Sequence, residues 1–185
     1  MLVVTGPPAS GKSTVAAQLA QALGWPLLAK DDIKERLFDV LGSSDREWSR
    51  RLSAASYELL FDVTSRCLRA GNSVVLEANF RDAHGTRLRA VLVEHQARCA
   101  QVVCTADPAV LELRLRARSA DAGRHPGHRD VALIDELPEL IAASGQALEV
   151  EGPVLRLDTT RGVPAADDAQ LLELVERLHR IADAA

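Results

Sequence analysis

Residues Val3 to Thr14 read VVTGPPASGKST: a short apolar run, then two glycines, two prolines and a lysine, then the start of a helical pattern. From Gly6 to Gly11-Lys12-Ser13 the spacing is G-x-x-x-x-G-K-S, the signature of a phosphate-binding loop. The chemistry asks for those residue types at those places. Gly6 and Gly11 let the backbone turn where a Cβ would forbid it, so that N–H groups can point inward at phosphate oxygens. Lys12 adds a mobile positive charge for the β and γ phosphates, and Ser13 offers a hydroxyl to a magnesium ion. The helix beginning near Ser13 aims its positive dipole end at the same anion. Leu2-Val3-Val4 reads as a buried strand, and Thr14 to Leu23 carries apolar residues at helical spacing. The whole loop (Gly6, Pro7, Pro8, Ala9, Ser10, Gly11, Lys12, Ser13 and Thr14) is therefore assigned to binding a nucleoside triphosphate with Mg2+.

At 185 residues and 20.0 kDa the chain is sized for one domain, residues 1–185, with a sizeable core. No apolar run reaches the length of a membrane span, and the loop starts too early for a signal peptide to precede it. Cys67, Cys99 and Cys104 are odd in number and lack metal-ligand spacing, so they read as reduced thiols of a cytoplasmic protein. A net charge of −4 argues against a broad footprint for duplex nucleic acid and leaves room for a short single strand in a local groove. The only lysines, Lys12, Lys30 and Lys34, all lie near the first two strand ends.

Short apolar runs alternate with longer amphipathic stretches. Strands are expected at Leu2–Thr5, Pro26–Ala29, Ser73–Glu77, Ala100–Thr105 and Val154–Leu157. Helices are expected at Ser13–Leu23, Asp32–Leu41, Asp45–Ala70, Ala83–His95, Pro108–Arg118, Val131–Ala143 and Ala165–Ala184. Gly24, Gly71 and Gly145 follow helical stretches as C-terminal stops. This alternation predicts an α/β three-layer sandwich, a five-stranded parallel sheet with helices on both faces. Ligands of such sheets bind outside the carboxyl ends of the strands.

Several strand ends carry chemistry. Asp31 and Asp32 follow the second strand; one can accept the proton of an attacking hydroxyl while the other caps the helix. We assign Asp31 to catalysis and Asp32 to the cap. Glu77 ends the third apolar run, where a carboxylate can serve the magnesium shell. Asn79 either binds the acceptor or a metal-bound water, or belongs to a helix start in NFRDAHG. Arg114 and Arg118 share a helix face one turn apart. With Arg124 they can close over a triphosphate from a lid spanning about 114–144 or, alternatively, form a solvated basic face. The loop Ser119–Asp130 adds His125 and His128, which are assigned to lid contacts or ordinary exposure rather than zinc, for want of further ligands. Trp48 and Tyr57 either line an acceptor pocket or fill the core. Asp158 and Thr159, after the last strand, are placed at adenine, mainly through backbone groups.

With GPPASGKST, KDDIKERL, VVLEANF and RLRARS in this order, the chain resembles the small P-loop kinases grouped with polynucleotide kinase, zeta toxin and chloramphenicol phosphotransferase. These elements organise about two thirds of the sequence. The resemblance implies a P-loop kinase fold with a helical lid, and ATP and Mg2+ as cofactors. It makes Asp31 the general base, with Ser13 and Glu77 at the metal and Arg114, Arg118 and Arg124 as lid arginines. The basic residue three positions after the base contacts the acceptor in that group, and is usually arginine; here it is Lys34. Relatives with a similar RHPGH lid are described only as ATP-binding proteins of the AAA type. The expectation is a phosphotransferase acting on a hydroxyl of a small molecule, with Asp31, Lys34, Asn79 and His125 toward the acceptor. Lys12, Arg118 and Arg124 then assist catalysis. A 5′-hydroxyl polynucleotide kinase and a non-enzymatic ATP-dependent switch or toxin-system protein are the alternatives, in a monomer or homodimer.

Overall fold

β1 (Leu2–Thr5) is buried along its whole length, as an apolar run at the centre of a parallel sheet must be. A computed structural model describes residues 1–42, 44–121, 125 and 133–183 of the chain. The sheet has five strands in the order β2-β3-β1-β4-β5, with β2 at Leu27–Ala29, β3 at Val75–Glu77, β4 at Ala100–Thr105 and β5 at Val154–Asp158. Every pairing is parallel; Leu2 lies beside Val75 on one side and Ala100 on the other. The chain passes from β1 to either side of it, so the mouth above β1 is the switch point where such sheets bind ligands.

Helices cover both faces. α1 (Lys12–Leu23) and the C-terminal helix α7 (Ala169–Asp183) pack on one side, with Val15, Leu19, Leu171, Leu174 and Leu178 against Leu2, Val4 and Val102. On the other side α3 (Arg46–Arg69) and α4 (Asp82–Glu94) bury Leu60, Phe61, Leu88 and Leu92 against Val3 and Leu76. α2 (Lys30–Leu41) lies along α3. α5 (Pro108–Ser119) meets α6 (Leu137–Ser144) through Leu111, Leu115 and Leu137. α1 stops where expected, at Gly24 in the left-handed conformation with φ 66°.

Three helix boundaries differ from expectation for identifiable reasons. α2 begins at Lys30, directly on the end of β2, with Ala29 as N-cap and no capping side chain. The cap assigned to Asp32 is therefore not formed, and Asp31 and Asp32 both sit inside the first turn, where a carboxylate still favours the helix dipole. The expected helix Val131–Ala143 is broken by a turn at Asp135–Glu136, because Pro138 fits only the first turn of a new helix; 131–132 lie outside the described residues. α7 starts at Ala169 rather than Ala165, set by Asp168, whose carboxylate accepts the Gln170 N–H at 2.8 Å. Ala184 is outside the described residues.

Candidate active site

The phosphate-loop residues use the conformations their types permit. Gly6 has φ 152° and Gly11 φ 76°, while Ala9 also takes a positive φ of 64°. A Cβ on Gly6 would stand 2.3 Å from the Cys104 carbonyl oxygen, and one on Gly11 would stand 2.3 Å from Val163 Cγ2. No side chain caps α1, so its first N–H groups face the loop without an intrahelical acceptor. Ser10 Oγ is buried without a hydrogen-bond partner among the described residues.

The loop rests on Thr159. This side chain is fully buried and its hydroxyl lies 2.9 Å from the Ser10 carbonyl and 3.1 Å from that of Thr105. Arg114 donates to the Thr159 hydroxyl at 3.2 Å and to its carbonyl at 2.6 Å. The Thr159 N–H is taken by Thr105 O at 2.8 Å. Arg114 and Thr159, both expected at the nucleotide, are thus joined beneath the loop, and the Thr159 carbonyl also accepts the Gly162 N–H at 2.9 Å. Asp158 is exposed, and its carboxylate accepts the Thr160 N–H and hydroxyl, which hold it below the usual carboxylate range.

Lys12 is buried beside Glu77, with Nζ 3.8 Å from Oε1. Burial pushes the Glu77 carboxyl up from its ordinary value; the Lys12 ammonium pulls it back, Asp31 and Asp32 push it further, and a hydrogen bond to Ser13 lowers it. One buried carboxylate thus faces a cation, two nearby anions and a hydroxyl.

A cleft of about 1090 Å³ opens from Lys12 and Ser13 across the carboxyl ends of β2 and β3. Asp31 stands on its α2 wall, half exposed, with Lys30 Nζ 3.0 Å from Oδ1. Lys34 lies one turn further on and donates to Ser49 Oγ of α3 at 3.1 Å. Asn79 also lines the cleft. Its carbonyl accepts the Tyr57 hydroxyl at 2.9 Å, which ties α3 to the end of β3. Tyr57 does both things expected of it as alternatives: its ring packs against Phe61 and Phe80 in the core and also borders the cleft. Trp48 instead closes the α2–α3 turn, its indole donating to Gly42 O at 3.0 Å.

Arg118 lines the cleft, half-buried. His125 packs against α2, 3.1 Å from Asp39 Oδ1 and beside the Phe38 ring. Arg124, His128 and most of the loop Ser119–Asp130 are outside the described residues. Among the cleft residues that went unremarked in the sequence, three bear on chemistry most directly. His84 stacks on Tyr57 with ring centroids 3.9 Å apart, and its Nδ1 accepts the Arg81 N–H at 2.9 Å. Burial lowers its pKa, and the charges of Arg81 and Lys30 lower it further. Arg81 and Arg50 line the same cleft. The signal for His84 was its place in the first turn of the helix after β3; a lone arginine among nineteen carries none.

A family model described as an AAA domain matches residues 1–137. Among solved structures, a presumed kinase from Chloroflexus aurantiacus is 34% identical, with a TM-score of 0.86 over 97% of this chain and 96% of that one. The APS kinase of Mycobacterium tuberculosis, solved with AMPPNP and APS, is 19% identical, with a TM-score of 0.60 over 96% of each chain. A gluconokinase from Sinorhizobium meliloti is 18% identical, with a TM-score of 0.55 over 96% of this chain and 94% of that one. No curated protein matches. The family match over most of the chain, added to a parallel five-stranded sheet with a glycine-shaped loop at its switch point, makes this chain a member of the AAA domain family with the P-loop kinase-like fold.

Proposed function

We propose that the protein is a kinase, of the group containing polynucleotide kinase, zeta toxin and chloramphenicol phosphotransferase, that transfers the γ-phosphoryl group of ATP to a hydroxyl of a small molecule. The observation that carries this reading is that one cleft joins the phosphate loop to Asp31 on the facing wall. Asp31 takes the proton of the acceptor hydroxyl as the new O–P bond forms; the bond to the β-phosphate oxygen breaks and its electrons leave on ADP. Lys30 fixes the carboxylate from the side at 3.0 Å. Lys12 holds the phosphates, and Arg118, with Arg124, faces the charge that spreads over the transferring group. Lys34, Asn79 and His125 are assigned to the acceptor side, although His125 rests on Asp39 in this structure.

The donor set fits magnesium. Ser13 hydroxyl and Glu77 carboxylate are hydrogen-bonded hard oxygens, and a carboxylate held high by burial and two anionic neighbours gains from a cation beside it. Bound there, Mg2+ would supply positive charge to the phosphates. No helix among the described residues is long and apolar enough to cross a membrane, and the cytoplasmic setting is part of this proposal.

The test is transfer of labelled phosphate from ATP to a panel of sugars, aminoglycosides, nucleosides and a 5′-hydroxyl oligonucleotide. Transfer to a small hydroxyl compound, reduced about 10²- to 10⁴-fold by a folded Asp31→Asn variant, is the expected result. Transfer to the oligonucleotide alone identifies a polynucleotide kinase instead. Full activity of Asp31→Asn removes the base assignment.

A further inference from the structure

The cleft is basic in a chain that is acidic. Among the described residues seven lysine and arginine and five acidic side chains line it, whereas the whole protein carries a net charge of −4. Much of that charge is matched within the fold: Lys12 faces Glu77, Lys30 faces Asp31, and Arg46 pairs with Glu136 across the cleft. Arg50 and Arg81 are different. Both residues line the cleft, exposed, and neither side chain makes an ion pair to a described residue.

Their surroundings suit a ligand. Arg50 follows Arg46 by one turn on the stripe of α3 that continues through Ser53 to Tyr57, all lining the cleft. Arg81 precedes α4, and its N–H fixes His84 by donating to Nδ1. A neutral imidazole with Nδ1 as acceptor carries its proton on Nε2 and offers it as a donor. The Tyr57 hydroxyl is turned away to Asn79 O, so this ring contributes a flat apolar floor between the two elements. Lys30 Nζ is 5.6 Å from the Tyr57 ring centroid and the His84 ring centroid is 3.9 Å from it. Ammonium and imidazole are therefore within about 10 Å of each other. Asp31, at 3.0 Å from that ammonium, is therefore within about 13 Å of the imidazole.

We infer that the acceptor is an anionic hydroxy compound, and that Arg50 and Arg81 bind its phosphate or carboxylate group, with His84 Nε2–H as an added donor, while its hydroxyl lies at Asp31. This rests on the kinase reading for the hydroxyl but not for the anion. Guanidinium forks match both anions in geometry, and the charge-assisted bonds are the strong ones. Neutral polyols leave both forks unpaired, and polycationic aminoglycosides are repelled.

The experiment pairs acids with their neutral counterparts: glycerol 3-phosphate and adenosine 5′-monophosphate for the phosphate arm, D-gluconate for the carboxylate arm, against glycerol, adenosine and D-glucose. Binding is measured by calorimetry on full-length protein with a non-hydrolysable ATP analogue, and transfer is measured separately with ATP. An acid from one arm should bind at least tenfold more tightly than its counterpart. Arg50→Ala and Arg81→Ala should each weaken that binding about ten- to a hundredfold, with KM rising more than kcat falls and Arg→Lys recovering part of the loss. Arginine-dependent binding without transfer supports the anion subsite and removes the kinase reading. Transfer to neutral acceptors alone, unchanged in both alanine variants, overturns the subsite and leaves the kinase reading standing. Failure of every acid to bind more tightly than its neutral partner also overturns it.

Discussion

Replacing Thr159 with valine keeps the shape of a fully buried side chain and deletes its hydroxyl. In the native protein that oxygen lies within hydrogen-bonding distance of Ser10 O at 2.9 Å and Thr105 O at 3.1 Å, and it accepts from Arg114 at 3.2 Å. One hydroxyl proton serves the two carbonyls. Its loss leaves a buried phosphate-loop carbonyl without a donor, at about 1–3 kcal/mol, and deletes one bond from a charged donor, at about 1 kcal/mol beyond that. Arg114 keeps the Thr159 carbonyl at 2.6 Å, which limits the damage. The sum, about 2–4 kcal/mol, corresponds to a fall in Tm of about 4–16 °C for a chain of this size. Thr159→Ser keeps the hydroxyl and loses only a methyl against Gly11, about 1 kcal/mol. Thermal unfolding followed by circular dichroism should therefore rank wild type above serine and serine above valine. Calorimetry with an ATP analogue should show weaker binding for valine, because the Ser10 segment has lost its anchor. If valine unfolds with or after serine, the hydroxyl does not support the loop and the account is wrong.

Gly6→Ala should weaken ATP binding severely and destabilise the protein by about 1–3 kcal/mol, since its Cβ would meet Cys104 O at 2.3 Å with φ at 152°; calorimetry and thermal unfolding check both. Arg118→Ala should lower kcat about ten- to a thousandfold while changing ATP binding much less, read from steady-state kinetics beside direct titration. The folded state holds a proton on His84 less readily than the unfolded chain, so its contribution to stability is full above the ordinary value of 6.5 and is lost as pH falls below it. Between pH 7 and 5 the wild-type Tm should fall relative to His84→Gln, as differential scanning fluorimetry across pH will show.

Much of this was legible in the sequence, because the signals were local. The loop from Gly6 to Ser13 announces its own backbone through glycines at fixed spacing, and β1 and β4 have the expected bounds because each is an uninterrupted run of mostly apolar residues. What could not be read depends on pairs brought together by the fold. Asp32 looks like a helix cap until β2 is found to run into α2 with no intervening residue, which leaves Ala29 at the cap. Arg114 is expected on a lid and Thr159 at adenine; that the two are hydrogen-bonded to one another is a fact about α5 and the loop after β5 meeting in space. His84 needed Tyr57 beneath it, from a different helix, before it could be recognised as part of the site.

The place of β1 in the sheet has a consequence for synthesis. It is the middle strand, yet its partners β3 and β4 follow roughly seventy and roughly a hundred residues later. At about 5–20 residues per second, a ribosome leaves Leu2, Val3 and Val4 without both strand partners for about 5–20 seconds. The glycine loop emerges directly behind them, but the carbonyl of Cys104 against which it turns comes with β4, and the Thr159 hydroxyl beneath it comes later still. The motif that is translated before all of its supports is thus among the last to take its working shape, and a nascent chain that stops short of Thr159 should fail to retain ATP.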